Sequence, residues 1–254
     1  MKLKRGQSGS SRRRPCRSSG LTLTEMTVVI AVVALLTVLS LPAVRSFFAS
    51  LANSGNARPM ISAALSSARA IAAKEQRYAG IRFQTAYDPS KSTLDAPQYM
   101  IFIVQDPEIM AYGFRAVEGL EPMKLPSNVG VMEVVGSNGE IVDSELTNKT
   151  TFSILFSPSG KMVIHNVRVR NRDGTTTSKD DIFNTESNVR NGIGMFLQDE
   201  NSGDLKEEPS QSKFRIYDKT IFEKLNQSSR YDNYLKDLEV IYINPYTGTI
   251  VNEK

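Results

Sequence analysis

The 254-residue chain contains one cysteine, one histidine and no tryptophan. Cys16 has no partner for an intramolecular disulfide, and with His165 as the sole imidazole no Cys/His zinc site can be assembled. A Ser-His-Asp or Cys-His pair would have to use His165 alone. Phosphate-cradling loops are missing as well, since no G-x-x-x-x-G-K-[ST] occurs and Gly192-Ile193-Gly194 stops after two glycines of the dinucleotide fingerprint. There is no G-x-S-x-G elbow either. Carboxylate-only catalysis survives these absences, but no residue pair points to it. The chain reads as a non-enzyme with no cofactor.

Charge of one sign is scarce in one place only. Residues 1–20 carry Lys2, Lys4, Arg5, Arg12, Arg13, Arg14 and Arg17 and no acid. The whole chain has 31 Lys+Arg against 27 Asp+Glu; without those seven cations 24 remain, and the balance becomes −3. The basicity belongs to the N-terminus and says little about nucleic acid as a partner of the rest. With 40% hydrophobic and 23% charged residues, the chain has enough apolar surface for one folded domain with appendages.

From Met26 to Val44 run 19 residues without a charge. As a helix at ~1.5 Å per residue this spans ~28 Å, close to the ~30 Å hydrocarbon core of a bilayer. Seven cations precede it and only Arg45 follows directly, so the positive-inside rule keeps residues 1–20 cytoplasmic and sends the C-terminal part across. A secretory signal cut at Ser50-Leu51-Ala52 is the competing reading, but its apolar region is ordinarily ~7–15 residues. Glu25 stands at the head of the run, where a carboxylate in lipid demands a partner.

The stretch Gly20-Leu21-Thr22-Leu23-Thr24-Glu25-Met26 resembles the processing site of type IV pilins and type II secretion pseudopilins. The resemblance implies that a prepilin peptidase cuts between Gly20 and Leu21, that the new amine of Leu21 is N-methylated, and that Glu25 is the assembly acid. Pro42 falls where the helix of this family often carries a kinking proline. Leu21 and Thr24 depart from the usual Phe and Ile. Glu25 would pair with a neighbouring subunit's Leu21 amine, satisfying two charges that an apolar medium disfavours singly.

Beyond a break at Asn53–Pro59, Ile61, Ala64, Leu65, Ala68, Ile71 and Ala72 recur at helical spacing. This piece, with Ala68-Arg69 and Ala72, resembles the helix leading into the globular domain of the H-type minor pseudopilins. Alternation and turn residues then predict strands at 80–85, 99–105, 112–117, 130–135, 152–156, 161–170 and 192–198, and a final hairpin of 240–243 with 249–251. A short helix is expected over 219–226, and polar, aperiodic loops near 171–191 and 199–213. The turn Ser157-Pro158-Ser159-Gly160 again resembles the H-type family.

The expectation is an α+β fold of pilin type: a long N-terminal helix, its first half transmembrane, packed on an antiparallel β-sheet domain. Its parts are a basic leader (1–20), a transmembrane and assembly helix (21–52), a linker and second helical half (53–76) and a periplasmic β-rich domain (77–254). The resemblance implies a minor pseudopilin, a subunit of a type II secretion pseudopilus or a type IV pilus, in the inner membrane, single-pass with a cytoplasmic N-terminus, acting in filament initiation and protein secretion. Implied partners are other pilin subunits, prepilin peptidase, and the assembly platform with its ATPase.

Three constellations remain. Arg168, Arg170 and Arg172 alternate with Val167 and Val169, which predicts three guanidiniums on one strand face. They would contact phosphates in a DNA-uptake pilin, but a charged edge strand is the plainer reading. Asp199, Asn201 and Asp204 form a weak calcium candidate that misses the EF-hand spacing. His165 reads as a partly buried structural residue. A further alternative is an anchored domain that never assembles.

Overall fold

The computed structural model describes residues 26–30, 32, 57–90, 96–108, 113–134, 151–199, 208–226 and 230–252. Two compact units divide the chain, Met1–Phe47 and Phe48–Lys254. In the first, residues 26–30 and 32 are helical, and their apolar side chains stand open to solvent, Ile30 at 65% exposure.

The second unit begins with helix α1 (Ala57–Glu75). Alanine gives up no side-chain entropy in a helix, and seven of these 19 residues are Ala. Pro59 sits in the first turn, where a missing N–H costs nothing. Lys74 complements the dipole of the last turn, and Gln76 in the left-handed region (φ 54°) ends the helix. Ala57, Met60, Ile61, Ala64, Leu65, Ala68 and Ala72 are buried along one stripe, and the small residues among them let the axis approach a sheet closely.

Fourteen strands follow: β1 (Ala79–Thr85), β2 (Gln98–Gln105), β3 (Gly113–Ala116), β4 (Met123–Lys124), β5 (Val129–Glu133), β6 (Phe152–Phe156), β7 (Met162–Val163), β8 (Asn166–Val169), β9 (Phe183–Asn184), β10 (Phe196–Leu197), β11 (Glu208–Pro209), β12 (Lys213–Asp218), β13 (Ile241–Ile243) and β14 (Ile250–Asn252). Short helices α2 (Glu186–Arg190) and α3 (Lys219–Lys224) and a π-helical turn, Arg230–Leu235, complete the list among the described residues. The main sheet runs β11-β8-β3-β2-β1-β6-β7, with β4 also paired to β2; a second sheet runs β14-β13-β12-β5.

Register explains how both faces of the main sheet become dry. Ile81 on β1 lies opposite Phe102 of β2 and Ile154 of β6. This set, with Phe83, Met100 and Phe156, packs against α1 and against Val131, Phe214 and Ile241 of the second sheet. One residue along, the other face presents Ile101, Ile103, Phe114, Leu155, Val167 and Val169, which pack with Ile182, Phe183 and Phe196. Gly80 lies on that second face, where a Cβ would come within 2.0 Å of the Ile154 carbonyl oxygen, so no larger residue fits. The Gln98 carboxamide joins the sheets: it donates to the Val131 carbonyl and accepts from the Val131 N–H, both at 2.8 Å.

The observed fold overturns several expectations. The described chain is mostly β, and it is not a long N-terminal helix packed on an antiparallel sheet. Among the described residues no helix is long and apolar enough to cross a membrane. This conflicts with the transmembrane helix and with the single-pass, inner-membrane placement. The one 19-residue helix carries Arg58, Arg69, Lys74 and Glu75 and buries a single stripe, the pattern of a helix lying on a sheet. The main sheet is mixed, because β8 runs parallel to β3; the chain between them passes through β4 to β7, so no hairpin dictates an antiparallel return. The expected strand over 161–170 is two, β7 on β6 and β8 on β3, with Ile164 and His165 between them. Residues 171–191, expected to be loop, hold β9 and α2, the latter capped by the Thr185 hydroxyl accepting from the Asn188 N–H.

Arg69 fastens α1 to the far side of the domain. Its Nε donates to the Gly160 carbonyl at 2.8 Å and its Nη1 to the Thr247 carbonyl at 2.9 Å, clamping the 157–160 turn and the 244–248 turn together. Each is a hydrogen bond from a charged donor, of the class worth roughly 1.5–3 kcal/mol. Arg69→Ala should therefore cost about 2–4 kcal/mol in urea unfolding, discounted for partial exposure, and Arg69→Lys, which loses the fork, should recover less than half. A cost below about 0.5 kcal/mol, the level of an ordinary surface substitution, would show that the turns hold themselves.

Candidate functional site

Alternation along β1 places Arg82 on the face away from α1, where it is 2% exposed. A guanidinium cannot be deprotonated at ordinary pH, so burial obliges the fold to supply an anion and acceptors. The Arg82 Nε donates to Gln84 Oε1 at 2.7 Å, and Nη2 to Asp199 Oδ1 at 2.5 Å. Gln84 in turn donates to the Leu197 carbonyl at 2.7 Å. Asp199 Oδ2 accepts from the Val169 N–H at 2.7 Å, while the Asp199 N–H donates to the Val169 carbonyl at 2.9 Å. One carboxylate thus ties β1, the end of β8 and the chain leaving β10. Glu208 on β11 feels the same cluster. Desolvation, with help from the Asp199 charge, pushes its pKa above the usual carboxylate value, while Arg82 pulls the other way. Glu208 is exposed overall, so solvent screens the effect.

The expected guanidinium stripe does not form one ladder. β8 ends at Val169, and the chain then turns through Asn171–Gly174. Arg170 Nη1 donates to the Asp199 carbonyl at 3.3 Å. The Arg172 N–H donates to Asp180 Oδ2 at 2.9 Å, and its guanidinium lies 3.9 Å from Asp180 and 3.7 Å from Asp181. Arg168 alone of the three lies within β8. Of the calcium candidates, Asp199 has both oxygens engaged as above, and Asn201 and Asp204 lie outside the described residues. Among the described residues no cluster of His, Cys, Asp and Glu could hold a metal. His165 is half-buried against Tyr78 (4.6 Å between ring centroids) and Phe114 (6.0 Å). Gly20, Leu21, Glu25 and Pro42 also fall outside the described residues.

Sequence reasoning missed a cleft at the start of α1. Ala57, Val129, Ile216, Leu238 and Ile241 form its aliphatic lining, and Arg58 and Glu239 complete it as an ion pair at 2.8 Å. Its volume is about 300 Å³. Arg58 and Glu239 are 181 residues apart, and neither belongs to a motif, so no signal in the sequence pairs them. No protein-family model, curated protein or solved structure matches the chain.

The Arg82 cluster makes an asymmetric prediction. Asp199→Asn leaves a 2%-exposed guanidinium without its anion, at a cost of roughly 3–5 kcal/mol. Arg82→Met should cost clearly less, since Asp199 keeps 31% of its side-chain surface in solvent and still accepts from Val169. Urea unfolding of both variants checks this, and equal costs would contradict it. Glu208 contributes a separate pH term. Its folded pKa is raised, so its contribution to stability is full below the unfolded carboxylate value and is lost as pH rises through the folded one. Glu208→Gln should remove that loss, leaving a flatter stability profile just above the usual carboxylate range.

Proposed function

We propose that the chain is a filament subunit of the type IV pilin and type II secretion pseudopilin class, a minor subunit acting in filament initiation and in protein secretion. The observation that carries this reading is the sequence Gly20-Leu21-Thr22-Leu23-Thr24-Glu25-Met26 behind a leader of seven cations and no acid. In this reading prepilin peptidase cuts between Gly20 and Leu21. Gly20 serves because an enzyme must approach the backbone closely there, and a side chain would obstruct it. Leu21 then carries the methylated amine. Glu25 pairs with the amine of a neighbouring subunit during assembly, and an assembly platform with its ATPase supplies the work. The Ala68-Arg69 and Ala72 positions that resemble the H-type minor pseudopilins lie on α1, with both alanines buried and Arg69 fastening two turns. No chemistry of its own is required of such a subunit.

Co-expression with a prepilin peptidase, read by intact mass, tests the reading. The expected product begins at Leu21 and carries one added methyl group, and Gly20→Val leaves the full-length precursor. A product beginning near Asn53 would restore a secretory signal and end the pilin reading. Glu25→Ala should leave cleavage intact and abolish crosslinking to partner pilins, because an amine stripped of its carboxylate among apolar helices costs roughly 3–5 kcal/mol. Wild-type crosslinking by that variant would reduce Glu25 to a helix-start acid, favoured only by the dipole.

A further inference from the structure

We infer that the cleft at the start of α1 binds a free aliphatic α-amino acid, with the leucine class as its ligand. The inference is independent of the filament reading and rests on the composition of the cleft. Val129 and Ile241 are nearly fully buried, Ile216 and Leu238 half so, and among the described residues no aromatic side chain contributes to the lining. A volume of about 300 Å³ lies at the small end of ligand pockets, which run from roughly 300 to 1,000 Å³. The apolar part of the ligand is accordingly short and aliphatic.

The polar part follows from the pair on the rim. Arg58 Nη2 and Glu239 Oε2 sit 2.8 Å apart, with 35% and 48% of their side-chain surfaces in solvent, so the pair can open without unfolding anything. A fatty acid could take Arg58 but would leave Glu239 unpaired beside an apolar ligand. An alkylamine would do the reverse. Only a ligand bearing both signs next to each other replaces the Arg58–Glu239 contact on each side, its carboxylate on the guanidinium and its ammonium on the carboxylate. An α-amino acid has that arrangement, with its side chain leaving the same carbon toward Val129, Ile216, Leu238 and Ile241.

Isothermal titration of the full chain with L-leucine, N-acetyl-L-leucine and L-leucinamide tests this directly. Leucine should bind saturably, and each single-charge analogue should bind at least about tenfold more weakly, as expected for one lost charge-assisted hydrogen bond. Arg58→Ala and Glu239→Ala should each abolish leucine binding while circular dichroism shows the fold retained, since both residues are partly exposed. Leucine should also outbind glycine, which lacks the aliphatic group. No saturable binding of leucine would overturn the inference. So would equal affinity for the three leucine derivatives, or binding undiminished in both variants.

Discussion

A positive charge that cannot be given up, held inside a sheet, sets the terms for half of this molecule. An antiparallel sheet can leave one face to water, and with Arg82 on that face the simplest fold would do so. Here the second face is covered by the segment from Asn171 to Asp199, and Arg82 is sealed beneath it. The covering segment therefore has to deliver an anion to one place, and Asp199 is that anion. Its second oxygen and its own N–H are spent on Val169. Closing the cover, neutralising Arg82 and ending β8 are consequently one event. The Ile182, Phe183 and Phe196 side chains that complete the second core arrive with it.

The same logic governs the polar interior of that cover. Asp180 and Asn184 are buried and bonded mostly to backbone groups, and the amide nitrogen of buried Asn171 donates to the Thr175 carbonyl. Asp180 accepts from the Ile182 and Arg172 N–H groups, and Asn184 donates to the Ser178 and Asp180 carbonyls. Side chains stand in for the ladder that a short, twisted segment cannot form with itself. On the opposite face the ties are fewer and longer in reach. Gln98 pairs with Val131 like an extra strand, and Arg69 holds two turns by their carbonyls. On the helix face the aliphatic stripe already fixes α1 on the sheet, and these polar ties add to it.

Where burial follows periodicity, the sequence was informative. Phe152–Phe156 forms β6 with the expected bounds, β1 and β2 begin one residue early, and the helical spacing from Ile61 to Ala72 is the buried stripe of α1. Polarity misled at 171–191, because Ser178, Asp180 and Asn184 have the composition of a solvated loop and are nearly inaccessible. No local pattern distinguishes a carboxylate facing water from one facing its own backbone amides. Alternation also promised one face for Arg168, Arg170 and Arg172, yet the strand ends after Val169, where Asp199 captures its N–H. The parallel pairing of β3 with β8 and the partnership of Arg58 with Glu239 are non-local, and hydrophobic pattern carries no information about which distant segments meet. The apolar run from Met26 to Val44 shows the limit of length arithmetic: matching a bilayer's thickness is a condition for spanning, not a demonstration of it.

The mixed sheet and the proposed processing site bear on different links of the chain from sequence to function. A peptidase acting at Gly20-Leu21, as proposed, would read a few residues around the cut, and the chemistry of such a cut is indifferent to whether the domain beyond it is antiparallel or mixed. A filament subunit, however, must also present a surface that fits its neighbours, and that surface is a property of the fold. The mixed sheet therefore leaves the first requirement untouched and transfers the second to the exterior of this particular domain. Its main-sheet faces are spent on two cores, so they cannot serve. In the proposed filament reading, contact would fall, among the described residues, to surfaces outside them such as the exposed side of α1 and the turns that Arg69 clamps. Helix α1 lies on the face opposite Arg82, so substitutions on its exposed side leave the Arg82–Asp199 pair in place.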